Sequence, residues 1–192
     1  MLGRRFLTST VLLFSLLVSC QHPEYTKISP MGDDHFLRMV VETPAGDSLW
    51  YQYDFSLKKF VSRMPLPSKL PQNWNLGFIP SGVNHSHDYR LAEVLLIGPQ
   101  KAQGTLLKVI PISLLYLNTN RDRALVVAVP ADPADRPDGV ENAEVFALEN
   151  PNIFQSIEEK IALSLFQVNP ENLSWADQAE AWHFISSKIK NQ

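Results

Sequence analysis

The sequence predicts an α+β domain in which a small β-barrel is followed by two helices. The chain has 192 residues, which is enough for one sizeable domain and short for two. Short apolar runs bounded by turn residues continue to about residue 130, and their unbroken hydrophobic character is typical of strands covered on both faces. A helical period appears only after these runs.

The predicted strands follow one another along the first two thirds of the chain. Segment 48–55 alternates, with Leu49, Tyr51 and Tyr53 on one side of a pleat. A turn cluster at 43–47 separates it from the strand before it, and prolines end the strand after it. The six predicted strands are 36–41, 48–55, 60–64, 94–98, 105–117 and 125–130.

Two helices are predicted near the C-terminus. Phe154 and the apolar residues that follow it at spacings of three, four and four residues form one helix face. Further on, Ser174 has the form of an N-cap, with Asp177 as its partner three residues later. The apolar stripe of this last helix is expected to consist of Trp175, Ala179, Trp182, Ile185 and Ile189.

Composition excludes several classes of protein. Lysine and arginine number 17 against 20 acidic residues, so no basic excess indicates a nucleic-acid partner. The hydrophobic fraction of 45% is too high for a disordered chain. A single cysteine excludes an intrachain disulfide framework and a cysteine-based zinc cluster. The one long apolar run lies at the N-terminus, which excludes a polytopic membrane protein.

The N-terminal segment is predicted to be a targeting signal. Arg4 and Arg5 precede an apolar run at 11–18 that ends in Ser19 and Cys20. This arrangement resembles the lipobox of bacterial lipoproteins, and the resemblance implies that 1–19 is a signal peptide and that Cys20 carries lipid. The protein would then be lipid-anchored in the cell envelope, with the periplasmic face expected. The alternative is an ordinary secretory signal that happens to end in cysteine.

The segment that follows is predicted to be a tether. Residues 20–34 have no apolar period and contain two prolines, so we expect a flexible, lipid-anchored linker before a folded domain at 35–192. Removal of residues 1–19 takes away two arginines and leaves 15 basic and 20 acidic residues. The mature protein is therefore expected to be acidic, with its membrane contact through the anchor.

Several stretches in the same order resemble the soluble, Mg-dependent inorganic pyrophosphatases of the single-barrel type. Residues 75–80 (NLGFIP) are similar to the family's Asn-Tyr-Gly-Phe-Ile-Pro, and 126–130 (VVAVP) to its Ile-Ile-Ala-Val-Pro. Between them, 94–98 and 111–115 follow two further family strands. The resemblance covers roughly 36–190. It implies an OB-like five-stranded β-barrel with helices on its flank, and hydrolysis of pyrophosphate to phosphate.

The resemblance also implies a metal site. Pyrophosphate carries several negative charges, so its hydrolysis in this family uses magnesium ions held by carboxylates. Manganese or zinc are alternatives, as is a site without metal. Carried over by position, the candidate metal ligands are Glu42, Asp88, Glu93 and Asp122, the candidate catalytic residues are Asp88, Glu93 and Asp122, and the candidate phosphate-binding residues are Arg63 and Arg90.

The carried-over pattern is incomplete. The middle carboxylate of the family motif is Arg90, and the lysine before the Ala-Val-Pro strand is Leu125. Trp50 and Gln52 replace a phosphate-facing Lys and Glu, and Leu76 replaces a Tyr. A guanidinium in place of a carboxylate turns attraction to a cation into repulsion of about 4 kcal/mol per unit charge at ~4 Å and an effective dielectric of about 20.

Two functions therefore remain open for the sequence. The first is a pyrophosphatase-like protein in which hydrolysis is weak or lost, leaving binding of phosphate, a related anion or a partner. The second is an active, envelope-anchored inorganic diphosphatase with an altered metal site. Arg90 itself is expected either to bind phosphate beside Arg63 or to pair with Glu93 or Asp88. The sequence leaves the oligomeric state open.

A histidine-containing insertion precedes the altered motif. His85 and His87 are two residues apart beside Asp88, and imidazole suits zinc or manganese better than magnesium. They are possible additional metal ligands. The alternative is an exposed polar loop whose histidines bind nothing.

Overall fold

The computed structural model describes residues 24–85, 88–137, 140, 146 and 150–190, and for residues 82–85 and 88 the backbone alone. The predicted signal peptide, Cys20 and His87 lie outside the described residues. The strands are β1 (Leu37–Thr43), β2 (Leu49–Asp54), β3 (Lys59–Pro65), β4 (Trp74–His85), β5 (Asp88–Ile97), β6 (Leu106–Tyr116), β7 (Ala124–Pro130) and β8 (Ser174–Ala176); the helices are α1 (Pro151–Ile157) and α2 (Gln178–Lys190).

Five strands close into a barrel in the order β1-β4-β5-β7-β6, because β6 also pairs with β1, with Leu37 opposite Val109. The β5–β7 pair is parallel and the other pairs are antiparallel, so the barrel is mixed. The β2–β3 hairpin forms a separate two-stranded sheet. The predicted α+β class, with an OB-like five-stranded barrel and two C-terminal helices, is confirmed.

The unbroken apolar runs are explained by burial on both faces of the strands. Leu95 and Val127 belong to one hydrophobic cluster, which includes residues of α1. Their neighbours Leu96 and Ala128 belong to a second cluster, which includes residues of α2. Successive residues of a strand point to opposite faces, so each helix covers a different part of the barrel.

Strand β4 departs from the predicted strand pattern. Gly77 and Pro80 interrupt the apolar period over this segment, so the sequence predicts no strand there. Gly77 is required by close backbone contact, because a Cβ there would lie 2.0 Å from the carbonyl oxygen of Val40 on β1. The strand expected at 94–98 also begins earlier, at Asp88, and pairs with β4.

The first predicted helix is interrupted. Helix α1 ends at Ile157 and continues as a π-helical turn over Glu158–Leu163, where the N–H of Phe166 donates to the carbonyl of Ile161. Ile157, Ile161 and Leu165 are buried, as their spacing predicted. Among the described residues, no helix has the length and apolarity needed to cross a membrane.

The predicted start of the last helix was wrong. Ser174 belongs to the short strand β8, which places Trp175 opposite Leu115 on β6 rather than on the helix. Asp177 caps the helix instead, since its Oδ1 accepts a hydrogen bond of 2.8 Å from the N–H of Glu180. Aspartate is a strong N-cap in its own right, and pairing with β6 removes Ser174 from that role.

Packing begins before the expected domain boundary at residue 35. Tyr25 is 1% exposed, and its hydroxyl donates a 2.8 Å hydrogen bond to the carbonyl of Gly104. Its ring meets Tyr53 edge to face, with centroids 4.8 Å apart. An aromatic side chain buries a large apolar area, so Tyr25 fixes this part of the chain to the barrel. From residue 24 onward, the expected tether therefore lies on the barrel.

Candidate functional site

Glu42 on β1 is the most deeply buried of the candidate-site acids whose side chains the structure describes, with its side chain 4% exposed. Its Oε1 accepts two hydrogen bonds, at 2.5 Å from the N–H of Tyr53 and at 2.6 Å from Nη1 of Arg90. Nη2 of Arg90 donates to the carbonyl of Tyr53 at 2.7 Å. One carboxylate thus connects the barrel strands β1 and β5 with the hairpin strand β2.

Arg90 points inward rather than toward solvent. Its side chain is 13% exposed, and its guanidinium carbon lies 4.8 Å from the ring centroid of Phe78 and 5.5 Å from that of Phe55. Glu42 is a partner that the sequence does not predict, since it favours Glu93 or Asp88. No sequence signal marks this contact, because the two residues are 48 positions apart on different strands.

The pKa of Glu42 reflects this environment. Burial raises it to about 7, against the opposing effects of the Arg90 cation and the hydrogen bond from the N–H of Tyr53. The negative charge of Glu93 adds a smaller upward shift of the Glu42 pKa. The two carboxyl groups are therefore close enough to interact.

A bulge in β5 places Arg90 and Glu93 on the same side of the barrel. The register of β4 and β5 passes from Ile79 opposite Ala92 to Pro80 opposite Arg90, so β5 contains one extra residue there. Without it, residues three apart on a strand would point to opposite faces. Glu93 consequently lines the same narrow cleft as Glu42.

Four of the positions at which the sequence departs from the family pattern, Trp50, Gln52, Leu76 and Leu125, line this cleft. It has room for about one water molecule. Trp50 forms part of the wall and meets Phe166 edge to face, with ring centroids 6.0 Å apart. The full lining is Glu42, Trp50, Gln52, Leu76, Gly77, Glu93, Val94, Leu125 and Phe166.

The other predicted site residues lie around or away from this cleft. Arg63 on β3 donates from Nε to Oε1 of Gln52 at 3.2 Å, and its Nη2 lies 3.9 Å from Oδ2 of Asp54. Asp122 lies in the β6–β7 turn and accepts a hydrogen bond from the side chain of Asn118. It is not part of the cleft lining.

The histidine insertion connects β4 and β5. His85 and Asp88 face each other in the register of the two strands, so Asp88 opens the strand that carries Arg90. The side chains of both residues, and all of His87, lie outside the described residues. Their predicted roles as metal ligands, and that of Asp88 in catalysis, stay predictions.

Arg123 is a second arginine of the site, and the sequence does not predict its role. Its Nη2 lies 3.9 Å from Oε2 of Glu93, and its guanidinium carbon lies 5.1 Å from the ring centroid of Phe166. The available signal was its spacing, because it lies two residues before Leu125, whose Cα is paired with Glu93. Each of the two cleft carboxylates therefore has an arginine beside it.

The described residues do not fit a magnesium cluster. Among the side chains that the structure describes, no three His, Cys, Asp or Glu residues converge as metal ligands. Glu42 accepts from Arg90, and Arg123 is beside Glu93. Magnesium requires several oxygen ligands, and a dication here would be repelled by two guanidinium groups.

The closed mixed barrel and its flanking helices define an OB-like barrel protein. The family model for inorganic pyrophosphatase matches residues 39–192. The chain therefore belongs to the inorganic pyrophosphatase family, as the sequence motifs predicted. No curated protein sequence matches it.

Solved structures support the same fold. An inorganic pyrophosphatase from Neisseria gonorrhoeae matches with a TM-score of 0.66 and 22% identity, covering 87% of this chain and 98% of the other. The enzyme from Thermus thermophilus matches with a TM-score of 0.66 and 23% identity, covering 87% and 98%. The one from Coxiella burnetii matches with a TM-score of 0.65 and 20% identity, covering 85% and 99%.

The raised pKa of Glu42 predicts a pH dependence of stability. A carboxyl whose pKa is about 7 when folded, against about 4.5 unfolded, binds more protons in the folded state between these values. Its contribution to stability is full below about pH 4.5 and is lost as pH rises through 7. The free energy of unfolding, relative to Glu42→Gln, should therefore fall by at most about 1.4 kcal/mol per pH unit in this range.

Denaturant unfolding of both proteins at closely spaced pH values measures this difference. Glu180→Gln is the matched control, since it removes an acid whose hydrogen bond to Tyr116 lies at helix α2. The expectation would be contradicted if the free energy of unfolding of the wild type rose relative to that of Glu42→Gln between pH 4.5 and 7.

Proposed function

We propose that this chain is an envelope-anchored member of the inorganic pyrophosphatase family that binds a phosphate-like anion and does not hydrolyse pyrophosphate at enzymatic rates. The observation that carries the proposal is the contact between Arg90 and Glu42. Arg90 stands where the family motif has a carboxylate, and its guanidinium is 2.6 Å from a second candidate metal ligand. A buried cation at this place opposes the binding of dications that the family reaction uses.

The substrate side of the cleft supports the same proposal. Trp50, Leu76 and Leu125 line it where the family has two lysines and a tyrosine. Apolar groups cannot neutralise or orient the phosphoryl oxygens, and removal of even one stabilising hydrogen-bond donor commonly reduces a rate by about 10² to 10³-fold. The loss of three polar groups together with a metal ligand favours an inactive site.

Two exposed arginines at the rim of the cleft support anion binding. Arg63 is hydrogen-bonded to Gln52, and Arg123 packs on Phe166; both partners line the cleft. The side chains of Arg63 and Arg123 are 43% and 51% exposed, so their guanidinium groups remain accessible. Planar guanidinium groups suit phosphate oxygens. Arg90, by contrast, is committed to Glu42 and the carbonyl of Tyr53.

The envelope location rests on the N-terminal sequence. Arg4 and Arg5, the apolar run at 11–18 and Ser19-Cys20 form the lipobox-like pattern. Acylation of Cys20 would hold the barrel at a membrane outside the cytoplasm, with anchoring that increases by about 0.8 kcal/mol for each buried methylene.

Hydrolysis of pyrophosphate tests the catalytic part of the proposal. The soluble chain beginning at residue 21 should release phosphate at well below ~1 per second with magnesium, manganese or zinc, because typical enzymes reach ~1 to 10³ per second. The double variant Arg90→Asp, Leu125→Lys should raise the rate, since it restores an acid and a lysine. A matched control is Arg90→Asn, which removes the cation without adding an acid. An enzyme-like rate for the wild type would overturn the proposal.

Calorimetric titration with phosphate and pyrophosphate tests the binding part. Both anions should bind the wild type, and the double variant Arg63→Ala, Arg123→Ala should lower the affinity at least tenfold, because each hydrogen bond to a charged group contributes about 1.5–3 kcal/mol. Lys160→Ala on the exposed turn after α1 is the control and should bind as the wild type does. No heat with either anion, or equal affinity in the double variant, would contradict anion binding at this rim.

A further inference from the structure

The start of the described chain lies against the tip of the β2–β3 hairpin. Nζ of Lys58 at the tip is 3.9 Å from Oε1 of Glu24, and Nζ of Lys27 is 2.6 Å from Oε2 of the same residue. Residues 24–27 and 56–59 therefore form one continuous surface, which we call the anchor-side patch. It lies apart from the cleft, whose lining contains none of these residues.

The anchor-side patch is fixed to the barrel and is not a loose end. Tyr25, in its middle, is 1% exposed and hydrogen-bonded to the carbonyl of Gly104. Its ring packs on Tyr53 and Phe60, with centroids 4.8 and 6.1 Å away. The hairpin tip is held by Asp54, whose Oδ1 accepts from the N–H groups of Ser56 and Leu57. The chain consequently leaves the barrel at a defined point.

The side chains of the patch suit an anionic lipid surface. Leu57 is 58% exposed, the largest exposure of a large apolar residue among the described ones. The side chains of Lys27 and Lys58 are 76% and 71% exposed, and Lys59 is also exposed. Three lysines against Glu24 make the patch cationic, although residues 20–192 carry 15 basic and 20 acidic residues. An exposed leucine between cationic groups is typical of an interfacial contact.

Chain length places this patch at the bilayer. Cys20 is four residues before Glu24, and four fully extended residues span at most about 14 Å. The attraction between lysines and anionic headgroups extends about 8–10 Å at physiological salt. A lipid on Cys20 therefore allows the patch to come within the range of the headgroup charges.

We propose that the anchor-side patch docks on an anionic phospholipid surface, with Leu57 in the headgroup region and the lysines beside lipid phosphates, so that the barrel is held in one orientation. The proposal rests on the proposed function for the anchor at Cys20. The lipid surface is favoured over a second copy of the chain because an anchor on Cys20 holds the patch close to the headgroups, whereas a second copy has to be recruited from solution.

The test couples the protein to vesicles through Cys20 itself. Every described strand and helix lies within 20–192, and Cys20 is the single cysteine, so this chain can be attached to a maleimide lipid. Vesicles of phosphatidylcholine are compared with vesicles that also contain phosphatidylglycerol. The readout is the acetylation rate of each lysine, measured by mass spectrometry on the coupled and the free protein.

On the anionic vesicles, acetylation of Lys58 and Lys59 should slow about fivefold or more. This is the factor by which one lysine near the surface increases binding to an anionic membrane, at about 1 kcal/mol per lysine. Lys160 and Lys190, both exposed near the C-terminal helices, should react as in the free protein. Strong salt should remove the protection, because the screening length falls to about 3 Å at 1 M. The variant Leu57→Ser, Lys59→Glu should lose protection of Lys58, whereas the control Lys160→Glu should keep it.

Three results would overturn the docking. Equal acetylation of Lys58 on coupled and free protein would exclude contact with the surface. Equal protection of Lys58 on both kinds of vesicle would indicate crowding at the surface rather than attraction to anionic lipid. Protection of Lys160 would indicate that another face of the protein lies on the membrane. Protection that increases with protein concentration in the absence of vesicles would indicate a second copy.

The chemical coupling replaces the natural anchor, so the test is independent of acylation in cells. Mass analysis of the N-terminal peptide from membranes decides whether Cys20 is acylated, and phosphate release decides whether the cleft is catalytic. Failure of the patch would leave those two answers unchanged.

Discussion

The contact between Glu42 and Arg90 is the constraint on which the candidate site depends. It joins β1 and β5, and through the backbone of Tyr53 it also holds the β2–β3 hairpin against the barrel. Removing one partner of such a buried pair commonly costs about 3–5 kcal/mol, because the other is left buried and uncompensated. The rings of Phe55 and Phe78 complete the enclosure of the guanidinium.

The same contact places a positive charge beside a carboxylate of the cleft. A family site built from carboxylates needs metal ions to bring its acids close together, whereas here Arg90 and Arg123 supply the positive charge from the chain itself. The barrel can therefore keep Glu42 and Glu93 in one cleft without a bound cation. The apolar wall formed by Trp50, Leu76 and Leu125 lies in the same cleft as these carboxylates.

Much of the barrel is predictable from the sequence, because its strands are marked locally. Residues 125–130 contain no polar residue and form a strand that is buried throughout. The contact between Arg90 and Glu42 is not marked, since it depends on the order β1-β4-β5 and on a bulge, neither of which a local pattern encodes. The order of the motifs placed Glu42 and Glu93 in one site, and both line the same cleft. The helix cap predicted at Ser174 was wrong because Ser174 pairs with β6 as part of a strand.

Thermal unfolding in the presence and absence of magnesium tests the central claim most directly. A ligand that binds the folded state raises its stability in proportion to the logarithm of its concentration. If Arg90 on Glu42 takes the place of the metal, the unfolding midpoint of the wild type should be the same in magnesium and in a chelator. The Arg90→Asp variant is the matched comparison. A midpoint of the wild type that rises steadily with magnesium concentration would contradict the account.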